Sequence, residues 1–247
     1  MKIRIICTLF LFACISCEKD GKLTFEATTF DQENCDDCPL VTITVPKALG
    51  TSKIVRTVND VVTEEIISLL NFDEDNDAET INSAMESFRK EYQTLKEKFP
   101  EESMQWEAEI QGDVVFEDAR ILTIRLKSYL FTGGAHGYST IRFSNFDKRK
   151  GIELENSKLF KNKGAFMDLA EAKFRSQEKI PATQSINSTG FMFDGETFYL
   201  PENIGFTPEG IQLLYNQYEV ASYADGPIIL TLPYDEVKDY LTVKIKT

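Results

Sequence analysis

Between Lys53 and Phe99 apolar residues recur at helical spacing in two successive runs, while along most of the remaining chain they alternate with polar residues between turn signals. That order excludes a regular strand-helix-strand weave. It predicts an α+β fold of two small subdomains, with helices packed on mainly antiparallel sheets. Ile54, Val58, Val61, Ile66 and Leu69 set the first helix, which ends near Asn71. Ile81, Met85, Phe88, Tyr92, Leu95 and Phe99 form the stripe of the second, which runs from about Ala78 until Pro100 stops it, because the proline ring cannot continue a helix.

Strands are expected on both sides of this pair. Leu23 to Phe30 and residues 40–45 precede it, the latter with Val41, Ile43 and Val45 on one face. Beyond it, Trp106, Ala108 and Ile110 alternate, Gly112 is expected to interrupt, and Val114 to Phe116 lead into an acidic turn at Glu117 and Asp118. Leu122, Ile124 and Leu126 return as an antiparallel partner, and Thr140 to Phe146 reads as a further strand before a basic turn at Lys148 to Gly151. A shorter helix over about 164–177 carries Phe166, Leu169, Ala170 and Phe174. Phe191 to Leu200 is then expected to be a strand ended by Pro201. A turn from Gly205 to Gly210, strands at 211–215 and 228–232, and a short helix from Tyr234 to Tyr240 complete the chain.

The N-terminus says where such a body would fold. Lys2 and Arg4 precede an apolar run from Ile5 to Ile15, and small Ser16 stands before Cys17. This is the charged region, short apolar stretch and small-residue cut of an export signal, too short to remain as a membrane-spanning helix. With cysteine as the first retained residue it looks like a bacterial lipoprotein signal, although Cys14 stands where such signals carry an aliphatic residue. Residues 1–16 are expected to be removed and Cys17 lipidated. The protein would then be tethered outside the cytoplasm by the charged Glu18-Lys19-Asp20, on the periplasmic face of a membrane or at the cell surface.

Apolar residues at 42 % and aromatics at 11 % are ample for a packed core. The net charge of −13 becomes −15 once Lys2 and Arg4, the charged residues of 1–16, are lost. Such a body repels phosphate backbones, which argues against nucleic acid and favours a cationic protein or a sugar polymer as partner. Solubility of an exported protein accounts for the acidity equally well.

Within the folded body only Cys35 and Cys38 remain. A zinc site needs about four ligands, and the chain offers one histidine and no further cysteine. A redox-active pair usually opens a helix, whereas the residues after Cys38 alternate as a strand. A small structural disulfide closing the loop is the favoured reading. Asp73, Glu74, Asp75 and Asp77 lack the central glycine and terminal glutamate of a calcium loop and read as a solvated connection. Neither a metal nor a cofactor is expected.

Two segments carry a family resemblance. One is Thr132-Gly133-Gly134-Ala135-His136-Gly137 with the strand and Phe146-Asp147 turn that follow; the other is Tyr218-Glu219-Val220-Ala221 leading through Tyr223-Ala224-Asp225-Gly226-Pro227 to Ile228. With Phe198-Tyr199-Leu200, Thr207 to Gly210 and Leu232-Pro233-Tyr234, they resemble the extracytoplasmic region of the RsiV family, over most of residues 40–245. The resemblance implies a PdaC-like α+β domain followed by an RsiV C-terminal-like α+β domain; the turn chemistry from Asn145 to Gly151 divides them at 40–146 and 147–247, after the signal at 1–16 and a tether with the cysteine loop at 17–39. RsiV is a membrane-bound anti-sigma factor whose outer region binds lysozyme. This chain has neither an internal transmembrane segment nor a cytoplasmic sigma-binding one, and its single histidine cannot supply the two that deacetylase sites use.

The candidate ligand-binding residues are Gly133, Gly134, His136, Gly137, Tyr138, Tyr218 and Tyr223. His136 lies among glycines that permit positive φ or a close chain approach. It is read either as a ligand contact or, in the favoured reading, as a side chain that bonds neighbouring backbone and fixes a crossing between the two halves. Tyr215, Tyr218, Tyr223 and Tyr234 could form a stacking face, or fill the core with wet hydroxyls. No catalytic residue is assigned, since no nucleophile elbow or triad pattern appears. The expected function is a noncatalytic, lipid-anchored envelope protein that binds a lysozyme-like cationic protein or a wall-derived glycan. An envelope hydrolase with its site near His136, or a structural subunit of an envelope complex, are the alternatives.

Overall fold

A computed structural model describes residues 21–31, 37–72, 77–100 and 104–245. The export signal, Cys17, the tether, Cys35 and the acidic residues Asp73, Glu74 and Asp75 lie outside the described residues.

The α+β reading holds, with two sheets and four α-helices among the described residues. The first sheet has the order β1 (Thr24–Asp31), β2 (Leu40–Leu49), β3 (Glu107–Glu117), β4 (Ile121–Phe131), β5 (Tyr138–Asp147) and β6 (Ile152–Glu153). Its one parallel pairing, β2 with β3, requires a long crossover, and α1 (Lys53–Leu70) and α2 (Ile81–Lys98) supply it. Ser52 caps α1 by accepting from the Val55 N–H, and Thr80 and Ser83 form a reciprocal capping box on α2, so both helices start where their apolar stripes do. The buried stripe of α1 is Ile54, Val55, Val58, Val62, Ile66 and Leu70, and Val61 and Leu69 flank it half-buried. These residues meet Ala84, Met85, Phe88 and Tyr92 of α2, the Trp106 ring, and one face of β2, β3 and β4.

Gly112 does not interrupt β3. The strand runs through it, and a Cβ there would stand 2.8 Å from Pro46 Cδ and 3.0 Å from Leu126 Cδ2. The missing side chain lets two neighbours close over the strand; the irregularity comes later, as a register shift between Val114 and Phe116. The basic turn after β5 is an Asx turn in which Asp147 Oδ1 accepts from the backbone N–H groups of Arg149 (3.0 Å) and Lys150 (3.2 Å).

In the second half α3 (Lys163–Gln177) and the short α4 (Tyr234–Val237) pack on a sheet of β7 (Asn203–Thr207), β8 (Gly210–Tyr215) and β9 (Ile228–Leu232). Two expectations are corrected here. Residues 191–200 form no strand: the Asn187 amide accepts from Phe193 N–H and donates to Phe193 O, Met192 N–H donates to Val220 O, and Gly195 and Glu196 take left-handed backbone. The alternation there places Phe193 and Phe198 against Phe174, so it reports burial of an irregular chain rather than a ladder. Gly205 is not in a turn but inside β7, directly beneath the Phe143 ring, where a Cβ would lie 2.4 Å from Phe143 Cγ. α4 also stops earlier than expected, at Val237.

The halves meet across β4 and β5. Ile121, Leu122, Thr123 and Ile124 are all buried in succession, because Leu122 and Ile124 face the first core while Ile121 joins the second. Asn145, 1 % exposed, accepts from Thr123 Oγ1 (2.8 Å) and donates to Ile204 O (2.7 Å), tying β4, β5 and β7 together.

Candidate functional site

The outer edge of β5 is left without a strand partner along most of its length, and side-chain amides take that place. Ile141 N–H donates to Asn216 Oδ1 (2.8 Å) and Phe143 N–H to Asn203 Oδ1 (2.8 Å), while the amide groups of Asn216 and Asn203 both donate to Ile141 O. The edge is thereby satisfied without being covered. Along it runs a groove of about 930 Å³, walled by Glu65, Ser68 and Leu69 of α1, residues 140–143 of β5, residues 153–156, and Tyr199, Leu200, Glu202, Asn203, Asn216 and Glu219 of the second half.

Its lining carries five carboxylates, Glu65, Glu153, Glu155, Glu202 and Glu219, against one cation, Arg142. Arg142 pairs with Glu65 at 2.7 Å, and Glu155 with Lys158 at 2.5 Å. Burial raises Glu65 above the usual glutamate range; Arg142 opposes that rise, and Glu153 and Glu64 add to it. Burial likewise raises Glu153, against Arg142 and a bond to Ser144, and it raises Glu219, against the Asn216 N–H that Glu219 accepts at 2.9 Å. Glu202 pushes Glu219 further in the same direction. The groove therefore concentrates negative charge in a partly desolvated place, as a binding site for cations does.

Close in the chain to the lining residues Thr140, Asn216 and Glu219 stand four rings. His136, in the turn between β4 and β5, stacks on Tyr223 with centroids 4.1 Å apart and planes at 20°. The Tyr218 ring lies 5.7 Å from that of Tyr223, and its hydroxyl is 3.4 Å from His136 Nε2. Tyr138 donates its hydroxyl to Gln217 O at 3.3 Å. Four of the seven candidate residues are thus brought together from two loops far apart in sequence. His136 Nδ1 also lies 3.1 Å from Gly137 O, so the ring both bonds local backbone and spans the two halves. Gly137 is buried against Tyr129, where a Cβ would fall 2.4 Å from the ring, while Gly133 and Gly134 adopt φ of 100° and 90° with open space around them. Tyr215 and Tyr234 belong to the core, donating to Tyr199 O (2.5 Å) and Thr207 O (2.7 Å).

The groove acids were not singled out from sequence. Glu65 and Glu219 sit on a helix and in a loop more than 150 positions apart, each resembling an ordinary solvated residue, and only the packing of α1 beside the 216–219 turn unites them. Cys38 is buried and disulfide-bonded; Cys35 lies outside the described residues. Among the described residues no group of three or more His, Cys, Asp or Glu is placed to hold a metal ion, and no helix is long and apolar enough to cross a membrane.

Residues 32–139 match the family model described as deacetylase PdaC, and residues 157–235 match that of a protein of unknown function, DUF3298. The chain resembles a PdaC domain followed by a DUF3298 domain. A crystal structure of a DUF3298 family member from Bacteroides fragilis superposes with a TM-score of 0.73 at 22 % identity, covering 91 % of this chain and 96 % of that one. A DUF3298 family protein from Pseudomonas aeruginosa PAO1 superposes with a TM-score of 0.66 at 22 % identity, covering 90 % and 96 %. At these identities the likeness establishes the shared fold. No curated protein matches the chain significantly.

Proposed function

We propose that this is a noncatalytic binding protein of the bacterial cell envelope, held to a membrane by lipid on Cys17, which receives a basic protein partner in the groove between its halves. The observation that carries the reading is the groove lining, five carboxylates to one arginine on a chain of net charge −13. An acidic surface of this kind steers a basic partner and sets its orientation. The export signal at 1–16 and the likeness of residues 32–139 to PdaC domains support the envelope setting. The noncatalytic reading is supported by His136, the chain's one histidine, whose ring is engaged by two tyrosines and its own turn rather than by a nucleophile.

The test is a calorimetric titration of residues 18–247 with a basic lysozyme, the probe suggested by the RsiV resemblance, at low and physiological salt. Saturable one-to-one binding, tighter at low salt and still present at physiological salt, is expected. Absence of heat at either salt overturns the basic-protein assignment, and affinity indifferent to salt overturns the electrostatic mechanism.

A further inference from the structure

We propose that the ring platform of Tyr138, Tyr218 and the His136–Tyr223 stack is an arginine-recognising subsite that continues the acidic groove, so that the basic partner lies along the groove as an extended segment with an arginine at this end. The inference rests on the groove reading above and adds the identity of one side chain and its place.

Platform and groove are continuous in the chain. Asn216 and Glu219 line the groove, and Gln217 and Tyr218 are the two residues between them; Thr140 lines it too, two positions after Tyr138. The rings are held rather than loose, by the 4.1 Å stack and by hydrogen bonds from both Tyr138 and Tyr218. Yet Tyr218 is 54 % exposed and Tyr138 40 %, so neither ring is spent on a core. Tyr218 also holds φ at 66°, a left-handed conformation unfavourable for a bulky aromatic residue and characteristic of positions where structure is kept for function.

The acceptors beside the rings select a planar cation. The carboxylates of Glu219, the residue after Tyr218, and of Glu202 both line the groove. A guanidinium stacks its flat face on a tyrosine while its edge donates to several acceptors at once; a lysine ammonium is compact, strongly hydrated and has no face to stack. A neutral sugar could stack but would leave the groove carboxylates unmatched.

The experiment titrates the full chain with hexa-arginine, hexa-lysine and hexaglucosamine at low salt. It compares the unaltered protein with Tyr218→Asn, since asparagine tolerates left-handed backbone, and with the double variant Glu153→Gln/Glu202→Gln; a thermal melt confirms that each is folded. Hexa-arginine is expected to bind about fivefold more tightly than hexa-lysine. Tyr218→Asn should erase that preference by weakening hexa-arginine binding more than hexa-lysine binding, and the double variant should weaken both peptides alike. Equal affinities, or a preference that survives Tyr218→Asn, overturn the arginine subsite and leave the groove reading standing. Binding of neither peptide overturns the groove reading itself. Hexaglucosamine binding more tightly than both peptides, with loss in Tyr218→Asn, overturns the peptide assignment in favour of an amino sugar.

Discussion

Gly205 shows how much of the junction rests on the absence of one carbon atom. Its backbone passes directly under the Phe143 ring, and Phe143 in turn donates its N–H to Asn203 two residues earlier on the same strand. A methyl group cannot enter without displacing the ring or the strand, so Gly205→Ala should destabilise the protein by about 1–3 kcal/mol, as overpacking of a tight interior does. For a chain of this length that lowers the melting temperature by roughly 2–4 °C per kcal/mol. An unchanged melt would show that the Phe143 ring is not seated on β7. Asn145 works by the opposite means, since its buried amide is filled with partners on two other strands, and its loss would leave the Ile204 carbonyl and the Thr123 hydroxyl without theirs.

At the scale of elements, α1, β6 and the turn after β8 hold carboxylates, Glu65, Glu153 and Glu219, where burial opposes their charge. Glu153 has its folded pKa raised, first by burial and also by Glu64, so between the ordinary glutamate value and the raised one the folded state binds more protons than the unfolded chain. Unfolding free energy from this group therefore falls as pH rises through that window and is recovered on mild acidification. Glu153→Gln, which keeps an acceptor for Ser144, should stabilise the protein at pH 7, and the gain should shrink as pH falls through that window towards the ordinary glutamate value. Urea denaturation at pH 7 and in mild acid measures this; a gain unchanged with pH would mean that Glu153 carries no ionisation penalty. The same strain, retained within a groove, is consistent with a site that a cationic partner would relieve.

For the whole molecule, the two cores are joined through β4, whose residues 121–124 are buried on both faces, and through three asparagine side chains that close the β5 edge onto the second half. The halves should unfold in one calorimetric transition, and residues 157–245 expressed alone should lack near-ultraviolet circular dichroism, because Ile121 and Phe116 would be missing from their core. Two well-separated transitions would overturn that coupling. Local patterning was enough for α1, α2, α3 and most strands, because helical or alternating burial against a nearby face leaves its period in the chain. Glycine-rich and tyrosine-bearing segments also named His136, Tyr138, Tyr218 and Tyr223 as candidates, without showing that they meet. Local patterning misread residues 191–200 and Gly205, where aromatic burial by irregular chain mimics a strand and a glycine serves a distant ring rather than a turn. The meeting of those four side chains, and the union of Glu65, Glu153, Glu202 and Glu219 in one groove, were decided only by tertiary structure, since a site built from loops and edges of both halves depends on how separate elements pack and leaves no period in the chain.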